Sequence, residues 1–166
     1  MTTSLGPRWT TVLLLLLLCL PLDAQVGEDT LGSLLPDAPV TLLDGSAVSA
    51  RDLRAGTVVW TWVPGGQPAA GQVTAIRRVH SDSYIWLKAG EKELQATGSH
   101  RIAVAGGKLV RLDTIREGQR ILVWGPKGPQ EAAVTSIRNL PITLVTYDLT
   151  IEGHRMFLID GILVGD

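Results

Sequence analysis

Asp52-Leu53-Arg54-Ala55-Gly56 returns, altered, as Thr114-Ile115-Arg116-Glu117-Gly118, 62 positions later. At the same spacing Val40 matches Ile102, Gly45 matches Gly107, Val48 matches Val110 and Leu87 matches Leu149. Val73-Thr74-Ala75-Ile76-Arg77 returns as Val134-Thr135-Ser136-Ile137-Arg138, 61 positions on. Each of these last segments follows a run with tryptophan (Trp60 and Trp62; Trp124) and a Gly/Pro loop. A near-constant spacing over separate segments marks an internal duplication of a unit of roughly 60 residues. Two copies are too few for a solenoid. The expectation is a compact pseudo-twofold domain whose halves pack on each other, with any special site where the halves meet and two chain segments converge.

Composition says which elements build that unit. The chain of 166 residues is long enough for one ordinary domain. Its Gly content and short runs of Val, Thr and Trp suit many strands joined by turns. No stretch sustains apolar spacing at i, i+3, i+4 and i+7, so long helices are not expected. Val40-Thr41-Leu42-Leu43 followed by Asp44-Gly45 reads as a hairpin with a two-residue turn. Ser49 to Leu53 reads as one capped helical turn ending at Gly56. Val58 to Val63 is a strand with Trp60 and Trp62 on one face, broken by Pro64-Gly65-Gly66, and Val73 to Val79 and Tyr84 to Leu87 are further strands. The formal net charge of −1 gives no reason to expect a nucleic-acid or anionic-membrane partner.

The first residues read separately. Arg8 precedes an almost pure leucine run from Val12 to Leu20, then Pro21 and Leu22-Asp23-Ala24. This is the pattern of an export signal over 1–24, with Gln25 as the new first residue and 25–32 as a short leader to a domain over 33–166. The run falls short of the ~20 apolar residues of a spanning helix, so a membrane partner is expected only if the signal stays uncleaved. A secreted or extracytoplasmic location follows. Cys19 is the only cysteine and lies inside the signal. The mature chain then has no thiol, which removes cysteine catalysis and cysteine-ligated metals.

Three histidines remain: His80, His100 and His154. Their spacing forms no zinc pattern, and no metal or cofactor is expected. His80 reads as a solvent-exposed or strand-end histidine. His100 stands in Thr97-Gly98-Ser99-His100, where a tight polar turn can set the hydroxyl and imidazole side by side. Further on, Thr146-Tyr147-Asp148-Leu149-Thr150-Ile151-Glu152-Gly153-His154-Arg155-Met156-Phe157 runs into Leu158-Ile159-Asp160-Gly161-Ile162-Leu163-Val164. This stretch resembles the C-terminal signature of the Hint family, the domain shared by inteins and Hedgehog autoprocessing regions. Ala38-Pro39-Val40-Thr41-Leu42-Leu43-Asp44-Gly45 resembles the family's opening hairpin. Thr97-Gly98-Ser99-His100 is similar to its Thr-x-x-His block, and Ile115 to Val123 to its Leu-x-x-Gly-Asp-x-Val block. The resemblance spans Ser33 to Asp166 and implies an all-β, internally duplicated horseshoe of short strands.

The resemblance also implies chemistry. It places the nucleophile at Ser33 and the scissile bond after Gly32, so the chain's own N-terminal segment is the substrate. The Ser33 hydroxyl would attack the Gly32 carbonyl in an N–O acyl shift. His100 would protonate the leaving nitrogen, Thr97 would hold the geometry and Asp148 would relay the nucleophile's proton. The C-terminal half departs from the family. Arg155 stands where its histidine belongs, with His154 one residue early; Gly165 replaces the penultimate histidine and Asp166 the asparagine that would cyclise. N-terminal self-cleavage in a single turnover is therefore the most that the resemblance implies, and not full splicing. The alternative is a catalytically degenerate, secreted binding or structural module.

Overall fold

The computed structural model describes residues 32–153 and 155–165. The expected export signal, the expected leader before Gly32, His154 and Asp166 lie outside the described residues. Eleven strands follow in order: β1 (Pro39–Thr41), β2 (Ala47–Ser49), β3 (Val58–Trp62), β4 (Ala69–Ala89), β5 (Lys92–Ala96), β6 (Arg101–Val104), β7 (Lys108–Arg111), β8 (Arg120–Gly125), β9 (Gly128–Ile151), β10 (Met156–Ile159) and β11 (Ile162–Gly165). All pair antiparallel, in the order β2-β1-β10-β3-β4-β9-β8-β11-β6-β7, with β5 on the far part of β4. Among the described residues the only helical pieces are three-residue 3-10 turns, and none is long and apolar enough to cross a membrane.

That order is a palindrome. Exchanging β1 to β4 for β6 to β9, and β10 for β11, returns the same sheet. The repeated residues hold matching bonds. The N–H of Gly56 donates to the Val73 carbonyl at 2.8 Å, and that of Gly118 to Val134 at 2.8 Å. Arg54 Nη1 donates to the carbonyls of Arg51 and Leu53, and Arg116 Nη1 to those of Asp113 and Ile115. The recurring arginine is thus a turn clamp that satisfies carbonyls the 3-10 turns leave open. Gly56 and Gly118 follow it at φ +91° and +82°, where a Cβ is strained. The final hairpin joins the halves: Val40 pairs with Ile159 of β10, and Ile102 with Val164 of β11.

One apolar core fills the space between the halves, with Leu34, Val40, Ile102, Ile121 and Phe157 fully buried in it. A second cluster gathers Trp60 and Trp62 with Leu122, Met156 and Leu158, and Trp124 meets both rings edge-on at 4.6 and 6.0 Å. Trp60 and Trp62 do share a face, as their two-residue spacing requires.

Three local expectations need correction. The first hairpin turns through three residues, Leu43 to Gly45, because Leu42 N–H donates to Ser46 O and Asp44 Oδ1 accepts from both the backbone and the hydroxyl of Ser46. Ser49 precedes a 3-10 turn (Ala50–Asp52) but makes no side-chain cap. The segments Val73–Val79 and Tyr84–Leu87 are one strand: β4 runs through a register shift between Ser81 and Ser83 and stays paired to β9 on both sides of it. The polar run His80-Ser81-Asp82-Ser83 reads as a break, yet it is a bulge on an exposed ribbon.

Candidate functional site

The duplication also sets up the site. Leu34 bridges Tyr147 of β9 on one side and Ala96, the last residue of β5, on the other. Its N–H donates to Tyr147 O at 2.8 Å and its carbonyl accepts from Tyr147 N at 2.9 Å. Leu34 and Ala96 are themselves a repeat pair, so this bridge lies on the pseudo-twofold axis. One residue back along the same antiparallel register, Ser33 falls opposite Asp148. The halves therefore meet at Ser33.

Thr97 clamps Ser33 from the β5 side. Its Oγ1 accepts from Ser33 N at 2.9 Å, and its N–H donates to Ser33 O at 2.9 Å. Ser99 Oγ lies 3.2 Å from the same Thr97 Oγ1. The turn then brings His100 back: its N–H donates to Thr97 O at 3.0 Å, and its carbonyl accepts from Leu112 N. Gly32 lies directly against His100. A Cβ at position 32 would overlap His100 Cα and stand 2.5 Å from its nitrogen. No side chain fits there unless the backbone moves.

Burial sets the electrostatics. Ser33, His100 and Asp148 are exposed by only 1%, 2% and 4%, and they are most of the buried polar side chains described. Neither ring nitrogen of His100 has a hydrogen-bond partner among the described residues. Desolvation pushes its imidazole down from 6.5 to about 4, against smaller upward pulls from the Gly32 backbone and the Asp148 charge. The Gly32 backbone is near enough to exert that pull without completing a bond. At neutral pH the ring is uncharged, with Phe157 edge-on at 6.3 Å as its apolar wall.

Sequence reasoning brought Gly32, Ser33, Thr97, His100 and Asp148 forward, and the fold gathers all five. It missed the arginine that holds Asp148. Arg77 sits directly across the β4–β9 ladder from Asp148 and donates to its Oδ2 through Nε at 3.1 Å and Nη2 at 2.8 Å. Arg77 was legible only as part of the repeat, since nothing local distinguishes a cross-strand partner 71 residues away. On the C-terminal side, Gly165 pairs with Arg101, and a Cβ there would run into Leu109. Arg155 is half-buried beside Gly153. His80 is exposed on β4. Among the described residues no group of His, Cys, Asp and Glu is placed to hold a metal ion.

No family model matches the sequence, and no curated protein is similar to it. Solved structures are. A DnaB intein from Synechocystis sp. PCC 6803 superposes with a TM-score of 0.72 at 21% identity, over 81% of this chain and 97% of that one. The chain has the intein, or Hint, fold. The TvoVMA intein shares it with a TM-score of 0.72 at 17% identity, over 82% of this chain and 98% of that one. So does a bacterial intein-like domain from Clostridium thermocellum, with a TM-score of 0.71 at 14% identity, over 81% and 98%. The palindromic sheet is this chain's version of the intein fold, and at such identities the likeness is one of architecture.

Proposed function

We propose that this Hint-fold domain is a single-turnover self-processing domain that cleaves its own chain between Gly32 and Ser33. The observation that carries the reading is the clamp on that peptide: Thr97 bonds Ser33 through both its backbone N–H and its hydroxyl, while Gly32 packs on His100. A peptide held at both residues, beside a buried uncharged imidazole, is pre-positioned for attack by its own hydroxyl.

The neutral ring gives the order of events. It must take a proton before it can give one. As Ser33 Oγ attacks the Gly32 carbonyl carbon, the hydroxyl proton passes to the imidazole, directly or by way of Asp148. The protonated ring then delivers a proton to the Ser33 nitrogen as the C–N bond breaks. The amide has become an ester and no atom has been lost. Water or an added nucleophile then releases the upstream segment. The absence of a side chain at Gly165 and the presence of Arg155 favour this N-terminal reaction alone over splicing. In this reading the segment ahead of Ser33 is the substrate, and export by the leucine-rich signal accounts for a serine in place of an oxidisable thiol.

A reporter domain fused ahead of Met1 of the full chain tests the proposal, incubated in mild detergent with and without hydroxylamine. A product beginning at Ser33, seen by intact mass and lost in Ser33→Ala, is the expected result. A fusion that stays whole under every condition favours a module that has kept the fold and not the reaction.

A further inference from the structure

The way Arg77 holds Asp148 is lopsided. A guanidinium facing a carboxylate usually takes both oxygens with two parallel bonds. Here Nε and Nη2 both go to Oδ2, and no hydrogen bond reaches Oδ1 among the described residues. The carboxylate is 5% exposed while the arginine side chain is 61% exposed. An almost dry acid is therefore tethered through one oxygen by a wet base, on the strand face where Ser33 comes opposite.

The other half of the duplication supplies an internal comparison. Arg138 is the repeat of Arg77 and Trp86 is the repeat of Asp148. They too face each other across the ladder, with the guanidinium 5.7 Å from the ring centre. The arginine belongs to the framework of both halves. Only in the half beside Ser33 does it meet an acid, and that acid lies close enough to the buried His100 ring to pull its imidazole slightly upward. Asp113, on the turn packed under Gly98, is tied to Arg111 at 2.6 Å instead.

We infer that Arg77 is the positioning residue of the site: by occupying Oδ2 it fixes the Asp148 carboxylate and keeps Oδ1 for the reacting groups. This rests on the self-cleavage reading. Removing the guanidinium frees the carboxylate to turn and leaves it without its ion-pair partner.

Two measurements on the full chain in detergent test it. In the fusion described above, Arg77→Met slows cleavage by roughly ten- to a hundred-fold, a misplacement effect. Arg77→Lys recovers part of the rate, and Arg77→Met combined with Asp148→Asn is no slower than Asp148→Asn alone. In the Ser33→Ala background, which keeps the peptide intact, NMR titration of His100 moves upward by roughly half a unit or more in Arg77→Met. It does not move further when Arg77→Met is added to Asp148→Asn. Cleavage by Arg77→Met within two-fold of wild type, or losses that multiply in the double variant, overturns the inference. If the wild-type fusion does not cleave at all, the function fails and the titration alone judges Arg77: an unmoved His100 overturns it there too.

Discussion

His100→Leu should make the protein more stable while abolishing the proposed self-cleavage. The imidazole is 2% exposed, and neither nitrogen has a hydrogen-bond partner among the described residues. Each buried polar atom left unsatisfied costs roughly 1–3 kcal/mol. Leucine has a similar volume and no polar atom, so it recovers about 1–3 kcal/mol at pH 7 after some loss of shape fit against Phe157. For a domain of this size that raises Tm by roughly 3–10 °C. The pH dependence adds a second, sharper signature. With the folded imidazole at about 4 and the unfolded one at 6.5, the unfolded chain takes up a proton between those values that the folded ring refuses. Stability is then lost as pH falls from 6.5 to 4, by roughly 3 kcal/mol from this residue. His100→Leu removes that part of the slope. Urea unfolding followed by tryptophan fluorescence at pH 7, 5.5 and 4.5 reads both effects, with cleavage of the fusion measured alongside. A variant less stable than wild type at pH 7, or one that keeps the full acid slope, would refute the claim that this histidine is held at a cost to the fold.

Other substitutions test the remaining geometry. Gly32→Ala places a methyl on the His100 backbone, so the peptide must lift from its clamp; cleavage of the fusion should drop at least ten-fold while the urea midpoint of the domain changes little. Phe157→Ala opens a cavity in the core and frees the wall of the His100 ring, costing roughly 3–5 kcal/mol by urea unfolding. Gly56→Ala and Gly118→Ala, both at strongly positive φ, should each cost roughly 1–2 kcal/mol and by similar amounts, because the duplicated turns carry the same bonds. Unequal costs would mean that one of the two turns has drifted.

The duplication was legible in the chain because it is written in residues that have no freedom. Gly56 and Gly118 need their conformation, and Arg54 and Arg116 clamp the turns before them, so their spacing survived where neighbouring residues changed. The site was legible to the extent that it is local or family-like: Thr97 and His100 share one turn. The part that was not legible is non-local. Asp148 and Arg77 become partners only through the register of two strands of 21 and 24 residues, and that register is set by bulges such as the one at Ser81–Ser83, which the sequence shows only as a polar run. The three-residue first turn escaped for a similar reason: Asp44 reaches forward to Ser46, and side-chain bonding of that kind competes with the tight turn that Asp-Gly alone suggests.

The interleaving of the last hairpin has a consequence for the order in which the protein can be made. β10 lies between β1 and β3, and β11 between β6 and β8. Apart from single bridges at Leu42–Val59 and Val104–Ile121, the strands on either side stay unpaired on that edge until a strand encoded after residue 155 arrives. Phe157, which walls the His100 ring, arrives at the same late moment. The fold therefore acts as a timer: the peptide at Ser33 emerges early in synthesis, yet its surroundings are complete only when residues 156–165 are available to pair.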